Sequence, residues 1–404
     1  MQLVQQLNKV RLYMVHTTEQ HTVKRMNISL VFHYIKDNSP VSRVEIAKHL
    51  GLTKATVSTI VQELINKGLV YEMGPGASSG GRKPVIIVFN QQCAYSIGVD
   101  VKVGYVQGLL VDFKGKVVQK EIITYEQEHM SKQTIINIVK KTIYTLLEAT
   151  PPSLYGVVGI SIGVPGIVDC DGFILHAPNL NWKDVDIQTI LADEFNIPVI
   201  VDNDSNFGAI AEYTFGKIPH TNNFLYVSVG VGIGAGIIIN GQLYKGSFGF
   251  SGEVGHMTIV PDGALCSCGN KGCWELYASE KALHKASNRL NSENLGIDDL
   301  VHLANKGDYH VIELFKEMGE YFGIGLSNLV NIFNPESIVI GSSLNKLSKW
   351  IEPAIYREME TRALVYHRRR FHISFSHLNN DATCLGGSLQ AIETFCRTTL
   401  NIIK

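Results

Sequence analysis

With 404 residues, the chain is long enough for two or three domains that each bury a full hydrophobic core. Its composition, 45% hydrophobic and 18% charged, is typical of a globular protein, and no apolar run reaches the roughly 20 residues of a membrane-spanning helix. The N-terminus lacks the apolar segment and cleavage site of a secretory signal, so we expect a cytoplasmic protein with no membrane partner.

Charge is distributed unevenly along the chain. Residues 1–90 carry 11 Lys and Arg against 5 Asp and Glu, whereas the remaining residues carry 25 against 32. The overall net charge of −1 therefore hides a basic N-terminal segment on an acidic body. This asymmetry favours a polyanion-binding module fused to a second functional unit.

A helix-turn-helix is predicted in the basic segment. Ser42 and Glu45 have the spacing of a capping box, Gly51 supplies the turn, and Thr53 can cap a second helix. In this motif the start of the second helix lies in the major groove, where lysine and small hydroxyl side chains can reach phosphates and base edges. The DNA-contacting residues that we predict here are Arg43, Thr53, Lys54, Ala55, Thr56, Ser58 and Thr59.

Two strands are predicted after the second helix, at residues 69–72 and 85–89. The loop GPGASSGGRKP between them is interpreted as the tip of a hairpin wing, whose Arg82 and Lys83 can reach backbone phosphate or the minor groove. A three-helix interaction domain with a flexible linker is the alternative. The basic excess, the two caps and the hairpin together favour a winged helix-turn-helix DNA-binding domain over residues 1–90.

The middle of the chain has the pattern of an α/β fold. Three strands with tight turns lie between residues 95 and 120, and a helix is predicted at residues 134–147. A later strand ends in the polar sequence DNDSN at residues 202–206, and such strand ends commonly line a ligand crevice. Because strands and crossover helices then recur, the pattern resembles the actin-like kinase fold of two α/β lobes around a cleft. We assign residues 91–205 to the first lobe and 206–404 to the second, with a last helix that can return to the first.

Four alternating glycines, from Gly230 to Gly236, follow a strand predicted at Phe224–Val229. Glycine lets the backbone approach a ligand closely, so a phosphate-cradling loop is one interpretation. A close turn into a second strand, Gly236–Asn240, is the other. The glycines alone do not distinguish the two.

Residues 252–279 contain the densest cluster of metal-ligating side chains. His256, Cys266, Cys268 and Cys273 have the spacing H-x9-C-x-C-x4-C, and zinc prefers four tetrahedral nitrogen and sulfur ligands. Because this set leaves no open coordination position, we predict a structural Zn²⁺ site. A redox-active cysteine group is the alternative.

Two glutamates bracket this cluster. Glu253 lies three residues before His256, and Glu275 lies two residues after Cys273. A metal site between them would fix both carboxylates, and sugars are bound by polar side chains that exchange hydrogen bonds with neighbouring hydroxyls. The alternative role for Glu275 is to cap a helix that begins at Leu276.

The sequence GEVGH followed by CSCGNKGCWELYAS resembles the signature of the ROK family, which comprises repressors, open reading frames and sugar kinases. The resemblance covers nearly the whole chain, and the winged helix-turn-helix marks the repressor branch. The stretches GASSGGRKPVIIVFN and SFGFSGEVGHMTI look especially like the xylose repressors of Gram-positive bacteria. The resemblance implies an α/β fold in which the winged helix-turn-helix precedes a two-lobed, actin-like ROK domain with a zinc site.

The resemblance also implies roles for individual residues. The family's zinc ligands match His256, Cys266, Cys268 and Cys273. The residues that match its sugar site, with the histidine close to the sugar, are Asn179, Asn203, Asp204, Glu253, His256 and Glu275. The aspartate of this set also matches the catalytic base of the kinases.

Three departures from those kinases argue against phosphoryl transfer. The kinases begin their nucleotide site with Asp-x-Gly-Gly-Thr, whereas Asp100 is followed by Val-Lys-Val-Gly, and Lys102 adds bulk where phosphates would lie. Val231 replaces the threonine of a second phosphate loop, and a later Gly-Gly pair has become Gly341-Ser342. A base without a bound phosphoryl donor cannot complete the reaction. We therefore expect no catalytic residues and no nucleotide cofactor.

The main hypothesis is a sugar-responsive transcriptional repressor, with D-xylose as the expected effector and a palindromic operator bound by a homodimer or higher homo-oligomer. Sugar in the interlobe cleft would shift the lobes and weaken DNA binding, provided that it binds the two states with different affinity. A sugar kinase with an appended DNA-binding domain is the first alternative. A zinc sensor, which would release DNA reversibly on chelation without unfolding, is the second.

Overall fold

The computed structural model describes residues 22–75, 85–126, 130–217, 221–290, 295–341, 343–368 and 370–402. These residues form a small N-terminal unit and two larger α/β units, which we call the first and second lobes. Within the described ranges, no helix combines the length and the low charge that a bilayer crossing demands.

The N-terminal unit is a winged helix. Its three strands form an antiparallel sheet in the order β1-β3-β2 beside three helices. Ser42 Oγ accepts a hydrogen bond from Glu45 N at 3.2 Å, and the Glu45 carboxylate accepts one from Ser42 N at 2.7 Å, so the predicted capping box is confirmed. The predicted wing tip, with Arg82 and Lys83, lies outside the described residues. The elements are α1 (22–38), β1 (Val41–Ser42), α2 (Arg43–Leu50), α3 (Lys54–Asn66), β2 (Val70–Pro75) and β3 (Val85–Phe89).

The first lobe is built on a five-stranded sheet in the order β11-β7-β4-β5-β6. Strands β4, β7 and β11 are parallel, so their carboxyl ends meet at one edge. The strands are β4 (Tyr95–Lys102), β5 (Tyr105–Asp112), β6 (Val117–Thr124), β7 (Val157–Val164) and β11 (Val199–Asn203). The remaining elements are α4 (Lys132–Glu148), α5 (Ile187–Phe195) and a small antiparallel sheet of β8 (Ile167–Val168), β9 (Ile174–Ala177) and β10 (Trp182–Val185).

The second lobe has a sheet in the order β14-β13-β12-β15-β16, covered by helices around the buried side chains of Trp274, Phe315 and Phe322. The strands are β12 (Phe224–Val229), β13 (Ile233–Ile239), β14 (Gln242–Leu243), β15 (Ser337–Gly341) and β16 (His372–Phe375). The helices are α7 (Glu275–Ala278), α8 (Glu280–Leu290), α9 (Ile297–Asn305), α10 (Tyr309–Phe333) and α11 (Ser348–Arg362).

Two further helices, α6 (Asp204–Phe215) and α12 (Ala382–Thr398), connect the units. Helix α6 packs on β12 and β13 of the second lobe, and α12 packs on α6 and on β4 and β7 of the first. Glycines allow the backbone of α12 to approach the backbones of α6 and β4 closely. A Cβ on Gly386 would lie 1.7 Å from the Phe207 carbonyl oxygen, and a Cβ on Gly98 would lie 1.9 Å from the Cys384 carbonyl oxygen. The last helix therefore lies against the first-lobe sheet although second-lobe strands precede it in sequence.

The winged helix and the first lobe share one hydrophobic cluster. The rings of Phe89 and Phe113 stack with centroids 5.6 Å apart, and Phe395 at the end of α12 meets Phe113 at 6.2 Å. Lys67 Nζ donates to the Leu400 carbonyl at 3.2 Å. The winged helix is therefore packed against the C-terminal helix and the residues that follow it.

Some predicted elements differ from the observed ones. The strand predicted to begin at Gly236 begins at Ile233, because Gly232 and its neighbours form only the hairpin turn. The helix predicted at residues 134–147 spans Lys132–Glu148, and it begins two residues earlier than predicted because Ser131 caps it. Helices α5, α9 and α11 and the β8–β10 sheet were not predicted.

Candidate functional site

The cysteine and histidine side chains converge beside the 3₁₀ turn Val254–His256. Cys266 Sγ lies 3.7 Å from His256 Nδ1, and Cys268 Sγ lies 3.7 Å from Cys273 Sγ. All four ligand atoms lie within 4.8 Å of one another. Two thiolates bound to tetrahedral zinc at about 2.3 Å are about 3.8 Å apart, so the donor set and its spacing fit zinc.

A cation would also explain how these thiols can be ligands. Cys273 is fully buried, and burial, followed by its thiol neighbours, raises its pKa to about 12. A thiol with that pKa is protonated at neutral pH, whereas a bound metal ion stabilises the thiolate. A bound metal ion would therefore hold Cys273 as a thiolate.

Glu275 reaches back over the metal-ligating cluster. Its Oε1 lies 3.3 Å from Cys266 Sγ and 3.7 Å from His256 Nδ1. A Cβ on Gly232 would lie 2.7 Å from Glu275 Oε2, so glycine at that position of the β12–β13 turn makes room for the carboxylate. The alternative that Glu275 caps a helix is wrong for the described residues, since α7 starts at Glu275 without a side-chain cap.

The pKa of Glu253 is influenced by burial and by the charges of His256, Asp204 and Glu275. Burial raises the pKa of Glu253, the His256 side chain opposes that rise, and the negative charges of Asp204 and Glu275 add to it. Asp204 comes from the start of α6, whereas Glu253, His256 and Glu275 belong to one later stretch of the chain that includes the 3₁₀ turn and the start of α7. The His256 and Glu275 side chains are 3.7 Å apart, and both, together with Asp204, act electrostatically on Glu253.

Lys102 is the cation opposite these acids. Its Nζ lies 2.6 Å from Asp204 Oδ2 and 3.6 Å from Asp100 Oδ2. Asp100 is almost fully buried, and burial raises its pKa to about 7 although the Lys102 charge lowers it. Sequence reasoning noted Lys102 only as added bulk and missed this ion pair. The available signal was a lysine two residues after a buried aspartate at a strand's carboxyl end.

Asn203 has a structural task at the N-terminus of α6. Its Oδ1 accepts from Ser205 N at 2.8 Å, and its Nδ2 donates to the Gly166 carbonyl at 2.9 Å. Gly166 in turn lies close against Ala177 of β9, one residue before the 3₁₀ turn Pro178–Leu180 that carries Asn179. The amide of Asn203 thus ties the strand end that bears Asp204 to the segment that bears Asn179.

A loop of residues 244–252, which we call the strap, joins the two lobes. Lys245 Nζ lies 2.9 Å from the carboxylate of Asp202, which is 7% exposed. A Cβ on Gly249 would lie 2.8 Å from the Val168 carbonyl oxygen in the first lobe. The strap was not predicted from the sequence, because its contacts with Asp202 and Val168 join residues that are far apart in the chain.

The alternating glycines serve mainly close packing. The turn between β12 and β13 is a tight hairpin in which Val229 pairs with Ile233. A Cβ on Gly234 would lie 2.5 Å from Ser205 Oγ, and one on Gly236 would lie 2.3 Å from the Ser205 carbonyl. The close-turn interpretation therefore accounts for Gly234 and Gly236 without a phosphate.

The predicted DNA-contacting residues lie at the start of α2, at the N-cap of α3 and in the first half of α3. Arg43 pairs with Glu72 at 2.9 Å and so joins α2 to the wing strand β2. The Thr53 hydroxyl caps α3 by accepting from Thr56 N at 3.1 Å, and Thr59 donates to the Ala55 carbonyl. Most of the set is exposed, namely Thr53, Lys54, Ala55, Ser58 and Thr59, whereas Arg43 and Thr56 are half-buried.

A winged helix joined to a two-lobed α/β domain with a His-Cys₃ cluster defines a DNA-binding transcriptional regulator built on a sugar-kinase-like fold. Residues 96–393 match the ROK family, and residues 29–76 match the MarR family of helix-turn-helix proteins. The chain belongs to the ROK family.

Named relatives place the chain among the regulators of that family. It is 40% identical to a xylose repressor of Bacillus spizizenii, over 96% of this chain and 99% of the relative. A solved ROK family transcriptional regulator, a homologue of the Escherichia coli MLC protein, has a TM-score of 0.78 and 27% identity, and covers 92% of this chain and 96% of its own. A ROK glucokinase from Streptomyces griseus, solved with glucose and AMPPNP, has a TM-score of 0.65 and 26% identity, and covers 73% of this chain and 98% of its own.

Proposed function

We propose that this protein is a cytoplasmic repressor that binds a palindromic operator as a homodimer or higher homo-oligomer and releases it when a sugar, D-xylose, binds in the cleft. The observation that carries the proposal is the convergence of Asp204, Glu253, His256 and Glu275 in a chain that also has a DNA-binding unit. The 40% identity to a xylose repressor over nearly the full length of both chains supports D-xylose as the sugar.

The sugar site contains the gathered acids and two amides. Ionised carboxylates accept hydrogen bonds from vicinal hydroxyls, and an amide can both donate and accept. Asn203 has one N–H left after its two fold-stabilising bonds. The proposed ligands of the sugar are Asn179, Asn203, Asp204, Glu253, His256 and Glu275.

The proposed metal is a structural Zn²⁺ held by His256, Cys266, Cys268 and Cys273, which satisfy all four tetrahedral positions. Bound zinc supplies folding free energy and no open site for a reactant. The four ligands would then hold the loop between His256 and Glu275 in one conformation. This loop conformation in turn fixes the positions of Glu253 and Glu275. No nucleotide is needed for this function.

Helix α12 supports coupling between sugar and DNA. At its start the Thr383 hydroxyl donates to the Asp204 carbonyl at 3.3 Å, and at its end Phe395 lies 5.2 Å from Tyr155 in the cluster shared with the winged helix. Seventeen helical residues span about 25 Å. We propose that sugar binding at Asp204 moves this helix and that the movement changes the spacing of the two recognition helices in the dimer.

The experiment is a gel-shift titration of the protein and its promoter DNA with D-xylose, D-glucose and N-acetylglucosamine, with calorimetry of the same sugars. A repressor of this kind loses operator affinity as its sugar is added, and the same sugar binds the protein alone. Operator affinity that no sugar changes would contradict the proposal. A coupled assay for ADP release tests the kinase alternative, and turnover abolished by Asp204→Asn would favour it.

A further inference from the structure

The ammonium group of Lys102 lies close to the carboxylates of two buried residues, Asp100 and Asp204, of which Asp204 belongs to the proposed sugar site. Lys102 lies at the last position of β4, and its Nζ contacts Asp204 Oδ2 at 2.6 Å and lies 3.6 Å from Asp100 Oδ2. Asp100 and Asp204 are 1% and 8% exposed, so water cannot screen their charges well. Their mutual repulsion needs a compensating cation or a proton.

The lysine backbone is held in place. The Tyr125 hydroxyl donates to the Lys102 carbonyl at 2.6 Å, and the β4–β5 hairpin turns immediately afterwards through Gly104 with a φ of +88°. The side chain then extends towards α6 and remains 27% exposed. A flexible side chain on a fixed backbone can follow Asp204 if that carboxylate moves on ligand binding.

We propose that Lys102 is a positioning residue of the sugar site, whose ammonium holds the Asp204 carboxylate in place and aimed at the effector. The inference rests on the proposed function. The carboxylate oxygens of Asp204 can accept hydrogen bonds from hydroxyl groups once the side chain is held in a fixed orientation. The same ion pair opposes general-base catalysis, because the ammonium already occupies the Asp204 oxygen that it contacts at 2.6 Å. One lysine thus favours sugar binding and disfavours phosphoryl transfer.

The test uses the full-length protein and D-xylose in isothermal titration calorimetry. Lys102→Ala should weaken D-xylose binding by about tenfold to a hundredfold, the usual effect of losing a hydrogen bond to a charged group. Methylammonium chloride should restore at least part of that loss, since a small ammonium can enter the space left by the side chain. Sodium chloride at the same ionic strength should not. Lys102→Arg, which keeps the charge, should bind more tightly than Lys102→Ala.

A matched control and a sugar-independent measurement separate this inference from the function on which it rests. Lys183→Ala, an exposed lysine on β10, should leave D-xylose affinity unchanged. Methylammonium should raise the melting temperature of Lys102→Ala and not that of the wild type, because only the variant has two buried carboxylates without their cation. This second readout needs no sugar.

The outcomes divide clearly. If Lys102→Ala binds D-xylose as the wild type does, the positioning role is wrong while the repressor proposal stands. If the variant loses affinity and methylammonium changes neither its affinity nor its melting temperature, Lys102 has only a packing role. If the wild type binds none of the sugars, the proposed function fails, and the melting experiment still decides whether Lys102 is the cation for Asp100 and Asp204.

Discussion

Lys245 Nζ lies 2.9 Å from the Asp202 carboxylate, and the two residues belong to opposite lobes. Asp202 also accepts from Asn206 Nδ2 at 2.8 Å, so this acid links the strap to the start of α6. The next two residues along the chain are Asn203 and Asp204. The strap is therefore tied, through one carboxylate, to the strand end that bears the proposed sugar ligand.

Lys245→Ala should lower the free energy of unfolding by about 1–3 kcal/mol, because it leaves a buried carboxylate with one partner fewer. Urea denaturation of the variant and the wild type would measure the difference. Lys183→Ala removes an exposed lysine of the first lobe and should stay within about 0.5 kcal/mol of the wild type. Equal stabilities of Lys245→Ala and the wild type would show that the ion pair does not stabilise this arrangement of lobes.

Removal of the metal should unfold the loop that carries both glutamates. We expect a strong chelator, or the substitution Cys268→Ser, to lower zinc content, to reduce near-ultraviolet circular dichroism from the buried Trp274 and to abolish sugar binding together. Zinc analysis, spectra and calorimetry on the same sample test this. Chelation that releases DNA reversibly while the spectrum stays intact would instead favour a zinc sensor.

Glu253→Gln should weaken binding of D-xylose by about tenfold to a hundredfold, because the amide replaces a charged acceptor of hydroxyl groups. Operator affinity without sugar should be unchanged, since Glu253 belongs to the second lobe, whereas the winged helix shares its hydrophobic cluster with the first lobe and α12. Calorimetry and gel shifts measure the two affinities separately. Glu148→Gln, at the exposed end of α4, serves as the control. A loss of DNA affinity in Glu253→Gln without a loss of sugar affinity would contradict the assignment.

Lys54→Ala should weaken operator binding and reduce the slope of log affinity against log salt by about one unit, as expected when one phosphate contact is lost. Lys54 is exposed at the first position of α3, whereas Lys141 is exposed on α4 of the first lobe. Lys141→Ala is therefore a charge-matched control that should leave the salt slope unchanged. Equal slopes for the two variants would exclude a phosphate contact at Lys54.

The free energy of unfolding should fall as the pH rises from 6 to 8, because Asp100 loses its proton in the folded state over this range. Burial raises its pKa from 3.8 to about 7, with Lys102, Asp204 and Thr383 facing it, so the folded state holds a proton that the unfolded chain has lost. The stabilisation is complete at low pH and is lost as the pH rises through the folded pKa, by about 1 kcal/mol over this range. Urea denaturation of Asp100→Asn at both pH values should show a smaller decline than the wild type shows.

The sequence allowed good predictions wherever the signal was local. Ser42 and Glu45 are three residues apart, and the zinc set lies within one loop, so spacing alone indicated both features. The pairing of Lys102 with Asp204 joins residues 102 positions apart and depends on how β4 meets α6, which no local pattern encodes. Helix α11 was missed because its apolar spacing is weak and Pro353 lies inside it.

The aromatic cluster beneath the winged helix has a consequence for protein engineering. Phe89 packs on Phe113 of the first lobe, and Phe113 packs on Phe395 in α12. The hydrophobic core of the DNA-binding unit therefore includes side chains that lie outside residues 22–90. An exchange of residues 22–90 between relatives would place a foreign surface on these rings. A functional chimera should therefore carry its own partners for Phe113 and Phe395, and a C-terminal tag or truncation near Leu400 should disturb operator binding although it is remote in sequence.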